Sequence, residues 1–156
     1  MSKDPFKNPD GKIPSAADLR MALLEEEMKE MSAKQKARDE EKEKQAEFAA
    51  DFLQNHVTDE ERKTIRRLVQ SAVENGQFEA LVYSFPSDLC TDSGRAITNG
   101  EANWPETLRG KAKELFDRYA QFGRPGGYRL KAKIISFPGG IPGDVGFYLN
   151  WEPDSV

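Results

Sequence analysis

The sequence of 156 residues contains a single cysteine, Cys90, and a single histidine, His56. An internal disulfide needs two cysteines, and structural zinc sites need sets of cysteine and histidine, so both are excluded, as is HExxH metalloprotease chemistry. We therefore expect no metal site and no cofactor. Cys90 and His56 could form a thiolate–imidazole pair, but a lone cysteine is more often a small buried hydrophobic residue.

Long apolar runs and an excess of positive charge are missing as well. No apolar run approaches the about 20 residues that span a bilayer, and the N-terminal residues have no hydrophobic signal region. With 23 basic and 27 acidic residues the net charge is −4, which lacks the basic excess that phosphate backbones demand. We expect a cytoplasmic protein that binds neither membranes nor nucleic acid.

No stretch has the form of a phosphate-binding Walker loop or of a nucleophile elbow. The glycine-rich stretch "PGGIPGD", residues 138–144, joins two predicted strands rather than a strand and a helix, so it is typical of a wide turn. No catalytic residue is assigned, and an enzyme is the less favoured class of protein.

The N-terminal third of the chain predicts a tail and a helical arm. Residues 1–14 contain three prolines and no periodicity, which predicts a disordered tail. Ser15 and Asp18 form a capping-box pattern, and no proline or glycine follows before Gln54, so residues 15–54 predict a helix. Whether that helix is continuous is left open by the sequence.

Four apolar residues recur along the arm at 3-4-3 spacing, which is two heptads of a coiled-coil seam. Polar residues occupy the next seam positions, beginning with Gln35 and Arg38, so the apolar seam ends there. Two heptads are too few for a stable isolated coiled coil, and the surface therefore needs a partner copy, a foreign protein or the protein's own domain. We call this surface the methionine seam; it consists of Met21, Leu24, Met28 and Met31.

Residues 57–156 predict a compact domain of helices and strands. Thr58 and Glu61 form a second capping box, and an apolar stripe with helical spacing follows them. The element order α-α-β-α-β-β predicts a small three-stranded sheet packed by helices, an α+β fold with the arm attached. The elements predicted after the second helix are a strand at 78–85, a helix at 103–122, and a hairpin of strands at 128–137 and 145–151.

Two of these strands end alike, in "LVYSFPSD" at 81–88 and in "KIISFPGG" at 133–140. If a right-handed crossover joins them, the strands are parallel and both ends fall at the edge of the sheet where ligands commonly bind. Phe85 and Phe137 would then wall a cleft. Its candidate ligand-binding residues are Ser84, Asp88, Cys90, Asp92, Ser93 and Arg95. The favoured interpretation is plainer: proline ends strands, and the match marks only where two strands stop.

Two hypotheses about function follow. The leading one is a small, non-enzymatic interaction or regulatory protein whose N-terminal amphipathic helix mediates self-association or binds a partner protein through the methionine seam. The alternative is a small-ligand-binding or enzymatic domain with a cleft at Ser84–Arg95. The stripe Arg129, Lys131 and Lys133 is interpreted as a solvated sheet face that lacks the interleaved aromatic residues of single-strand binders.

Overall fold

The computed structural model describes residues 13–153, so the predicted tail lies almost wholly outside the described residues. The chain divides between Glu47 and Phe48 into two compact units. The boundary falls inside the first helix, α1 (Ala16–Gln54), which is a single helix of 39 residues. The last two turns of α1 therefore belong to the second unit, together with all the elements that follow.

Both predicted helix starts are confirmed. At the start of α1, the Ser15 hydroxyl accepts a hydrogen bond of 3.2 Å from the Asp18 amide. At the start of α2 (Asp59–Glu74) the capping box is reciprocal: the Glu61 amide donates to Thr58 Oγ1, and the Thr58 amide donates to the Glu61 carboxylate. Each cap accepts a hydrogen bond from an amide that has no partner inside the helix. The cap therefore fixes the residue at which the helix begins.

The predicted α+β class and three-stranded sheet are also confirmed. The strands are β1 (Glu79–Pro86), β2 (Arg129–Ile134) and β3 (Asp144–Asn150), and β3 lies in the middle. Because β3 pairs antiparallel with both neighbours, β2 and β3 form the predicted hairpin, and β1 and β2 run in the same direction. They are not adjacent, however, since β3 separates them.

The single helix predicted at 103–122 is wrong. A short helix, α3 (Arg95–Thr98), lies ahead of this segment. The segment itself starts with a 3₁₀ turn, Trp104–Thr107, and extended backbone at Leu108, after which α4 (Gly110–Arg118) begins and passes into a π-helical turn, Tyr119–Gly123. The interruption lies at Gly110, the first residue of α4. Its φ is +56°, a conformation that other residues rarely adopt.

Aromatic rings form the centre of the core, between the helices and one face of the sheet. Phe52 of α1 stacks on Phe85 of β1 at 5.2 Å between ring centroids, and Phe85 meets Phe147 of β3 edge to face at 5.3 Å. Alternation in the last strand predicts Val145, Phe147, Leu149 and Trp151 on its inward face. Val145 and Phe147 are fully buried, which confirms that face at these two positions. Phe52 brings the end of α1 into the same core, which explains why that end belongs to the second unit.

A buried lysine joins three helices beside this core. Lys111 of α4 is 3% exposed, and its Nζ lies 2.7 Å from Asp51 Oδ2 of α1 and 2.5 Å from Glu61 Oε1 of α2. Burial by itself lowers the pKa of Lys111, but the hydrogen bonds to Asp51 and Glu61 outweigh it and raise that pKa above its ordinary value. The ammonium therefore stays charged, and Glu61 uses one carboxylate for both the helix cap and this ion pair.

We predict that Gly110→Ala destabilises the protein by about 2–4 kcal/mol, because of both backbone strain and overpacking. A Cβ at Gly110 would lie 2.1 Å from the Phe52 carbonyl oxygen. Gly100→Ala is the matched control, since Gly100 also has a positive φ but has no atom within 4 Å of the added Cβ. It should cost only about 1 kcal/mol. Urea unfolding measures both, and equal losses would contradict the close approach.

We also predict that Lys111→Met lowers the free energy of unfolding by about 1–3 kcal/mol at neutral pH. The free energy of unfolding of the variant should also depend less steeply on pH in the acidic range. The pKa of Asp51 is lowered by the hydrogen bond from Asn55 and then by Lys111. A carboxyl with a lowered pKa stabilises the fold above its unfolded pKa of about 3.9 and loses that contribution as the pH falls further. The variant should lose less stability than wild type below that pH.

The control for this change is Lys113→Met, two residues along α4. Lys113 is exposed and pairs with Asp117 on the surface, so its removal should change the stability by less than about 0.5 kcal/mol. Denaturant titrations between neutral and acidic pH compare the three proteins. An equal effect of the two substitutions would rule out a special role for the buried ammonium.

Candidate functional site

The two Ser-Phe-Pro corners do lie at one edge of the sheet, on either side of the start of β3. Pro86 pairs with Asp144, and the Ile135 amide donates to the Asp144 carbonyl. The corners are joined through the loop before β3, because the Ser87 hydroxyl donates to the Pro142 carbonyl and Ser136 Oγ accepts from the Asp144 amide. Ser87 follows the proline of the first motif, whereas Ser136 is the first residue of the second motif. The two motifs are therefore not structurally equivalent.

Ser84 lies in β1, and the other five predicted ligand-binding residues are spread along the segment that follows this strand. Asp92 is occupied by the local backbone: its carboxylate accepts from the amides of Gly94 and Ala96 at 3.0 and 2.8 Å. Among residues 13–153, no side-chain hydrogen bond or ion pair joins any two of the six. Cys90 is buried and Asp92 is half-buried. The other four residues are exposed: Ser84, Asp88, Ser93 and Arg95.

A shallow hollow of about 450 Å³ does exist near this edge, but other residues form it. Phe137 and Lys133 line it together with α3 and the residues that follow α3. None of the six predicted residues lines it. Phe85 is 2% exposed and belongs to the core, so the prediction that it walls a cleft is wrong. A ligand-binding role for the six residues stays a prediction.

Two buried side chains that could act as nucleophiles, Cys90 and Lys111, have protonation states that oppose attack. Burial raises the pKa of the Cys90 thiol to about 11, against the opposing hydrogen bond of Thr107, so the thiol is neutral near pH 7. Lys111 is held as an ammonium ion by its two carboxylate partners. The exposed His56 ring lies 3.6 Å from the Glu114 carboxylate. Within residues 13–153, no cluster of three or more histidine, cysteine or acidic side chains is arranged to hold a metal ion.

The methionine seam lies on the first unit, and its four side chains are between 49 and 70% exposed. The 3-4-3 spacing on a continuous helix places them on one face, as the sequence indicates. Leu23 is 67% exposed but lies about 100° around the helix from Leu24, so it belongs to another face. Charged residues flank the seam on both sides, among them Arg20, Glu25 and Lys34.

Two features escaped the sequence analysis. Tyr148 lies on the same sheet face as the basic stripe, with Lys133 Nζ 5.2 Å from its ring centroid, so the prediction that this face lacks an aromatic residue is wrong. An apolar cavity of about 340 Å³ also lies on the opposite face of the sheet, near the end of α4. The register of β2 against β3 places Tyr148 on the basic face, and the π-helical turn after α4 lines the cavity. Neither arrangement is a local property of the sequence.

Comparison of the chain with protein-family models, with curated proteins and with solved structures gives no significant match. In the described part of the chain, no helix is long and apolar enough to cross a membrane.

We predict that Cys90 does not react with a thiol reagent such as dithionitrobenzoate in the native protein at pH 8, because the thiol is buried and protonated. Reaction should begin only when denaturant unfolds the chain. Ser84→Cys is the control, since residue 84 is exposed on β1. The introduced thiol should react within the mixing time. Rapid labelling of native wild type would show that Cys90 is accessible.

Proposed function

We propose that this protein is a small cytoplasmic interaction protein whose methionine seam pairs in parallel with the seam of a second copy. The observation that carries the proposal is the exposure of four large apolar side chains on one face of a continuous helix. Methionine suits such surfaces because its flexible, polarizable side chain adapts to a partner. The buried, reduced Cys90 is compatible with a cytoplasmic location.

The charges beside the seam favour a second copy in parallel orientation. With Met21 and Met28 at position a, the flanking g and e positions place Arg20 against Glu25 of the second copy. Two heptads further on, Lys34 faces Asp39 in the same way. Both contacts are attractive, and charges at e and g positions are what sets partner choice and orientation in coiled coils.

An antiparallel pair would instead bring like charges together. If Met21 layered against Met31 of the other helix, Arg20 would face Lys34, and Glu25 and Glu27 would each face their own copies. Like charges at such positions are destabilising. The parallel arrangement therefore has the better electrostatic complementarity, while the polar residues from Gln35 onward limit the apolar contact to two heptads and keep the association weak.

We predict that the full-length protein self-associates reversibly as its concentration rises, and that Met28→Glu weakens this association by at least about tenfold. The substitution buries a charge at the centre of the paired surface. Leu23→Glu is the matched control, because it introduces the same charge on another face of the same helix. Sedimentation velocity over a concentration series gives the dissociation constants. A monomer at every concentration, or equal effects of both substitutions, would refute the pairing.

The orientation is tested by exchanging one pair of charges. Arg20→Glu should weaken a parallel pair, because the introduced carboxylate would face Glu25 of the second copy, and adding Glu25→Arg should restore the affinity. In an antiparallel pair the first change alone would strengthen association, since the introduced carboxylate would face Lys34. The same sedimentation experiment distinguishes the two orientations by the sign of the change in affinity.

A further inference from the structure

The apolar cavity in the second unit lies over the core face of the sheet, where the helices leave part of that face uncovered. All three strands contribute to its floor, and α2, α4 and the π-helical turn form its walls. We call it the sheet cavity. The lining residues on which the inference depends are Ile65, Leu115, Tyr119, Phe122, Leu130 and Phe147.

The π-helical turn fixes the wall of the sheet cavity. The Arg124 amide donates to the Tyr119 carbonyl, five residues back, and the Tyr119 hydroxyl donates to the Tyr128 carbonyl at 3.0 Å, which joins the turn to the start of β2. Turns of this kind are rare and occur frequently at functional sites. Two aromatic residues at the rim stay accessible to solvent: Phe122 is 70% exposed and Tyr128 37%.

Arginine side chains adjoin one end of the sheet cavity. A second hollow, of about 450 Å³, is lined by Arg62, Arg66 and Arg118 and shares Ile65, Leu115 and Arg118 with the cavity. Arg62 forms an ion pair with Asp59, and Arg118 and Arg66 lie near enough to the same carboxylate to lower its pKa further, although neither forms an ion pair with it. Three guanidinium groups against one carboxylate give a local charge of +2 on a chain whose net charge is −4.

We propose that the sheet cavity binds an aliphatic carboxylate of medium chain length. The apolar chain lies against the floor of the sheet, and the carboxylate is held by Arg118 together with Arg66. Guanidinium groups suit this role because their planar donors match a carboxylate in bidentate geometry. An apolar cavity with a few polar groups at one end is the usual form of a small-molecule site.

The dimensions favour a small molecule over a partner helix. The cavity volume is near the lower end of the range of about 300–1,000 Å³ that small-molecule sites occupy. A helix with its side chains is about 10–12 Å across and needs a long open groove rather than a hollow closed at one side by Tyr119 and Tyr128. This site is separate from the methionine seam, so it does not depend on self-association.

The test uses the full-length, isotope-labelled protein and three probes with the same eight-carbon chain: octanoate, octan-1-ol and octyltrimethylammonium. The two ions are kept below their micelle concentrations and the alcohol below its solubility. Octanoate should shift the NMR signals of residues around the cavity, such as Leu115, Leu130 and Tyr128, and should bind more tightly than the alcohol and the cation. No shift with octanoate, equal affinity for octanoate and the cation, or shifts confined to the methionine seam would overturn the proposal.

Two substitutions separate the carboxylate contact from the apolar one. Arg118→Gln should weaken octanoate binding roughly tenfold and leave the affinity for the alcohol unchanged, because only the charge-assisted bonds are lost. Arg67→Gln, on α2 but outside the lining, is the matched control and should change neither affinity. Leu130→Trp should fill the cavity and abolish binding of both. Equal effects of Arg118→Gln and Arg67→Gln would refute the role of Arg118.

Discussion

The second unit depends on one close contact, between the Phe52 carbonyl of α1 and the backbone of Gly110 at the start of α4. The contact leaves no room for a side chain at residue 110, and it brings Lys111 between Asp51 and Glu61. A charge buried in this way is tolerated only because two helices supply carboxylates for it. The same approach places Phe52 in the aromatic core, so the end of α1 is part of the sheet's packing rather than an appendage to it.

Local signals in the sequence were enough for the fold class and for most of the elements, although not for the broken helix at 103–122, and long-range contacts decided what they missed. Ser15 and Thr58 mark the helix starts because a cap involves only neighbouring residues, and alternation predicts the inward face at Val145 and Phe147 for a similar reason. The break at Gly110 depends on a carbonyl from another helix and has no local signature. The methionine seam was predictable from spacing, whereas the sheet cavity arises only when strands, α2 and the π-helical turn come together.

Two buried groups of the second unit, Cys90 and Lys111, have protonation states that do not favour nucleophilic attack. Cys90 is a neutral thiol and Lys111 a paired ammonium ion, so the reactive groups that are buried serve packing and charge balance. The surfaces that remain are of different kinds. The methionine seam is an exposed apolar helix face flanked by charged residues, and the sheet cavity is a concave apolar site with arginines at one end.

Disulfide trapping tests the parallel pairing of the methionine seam most directly. In a parallel, in-register pair, Leu24 of one copy lies opposite Leu24 of the other, close to the Cα separation of about 4.4–6.8 Å that a disulfide requires. We predict that Leu24→Cys forms a covalent dimer under mild oxidation, that Leu23→Cys does not, and that the buried Cys90 stays reduced in both. Equal trapping at the two positions, or none at Leu24, would contradict the parallel pairing.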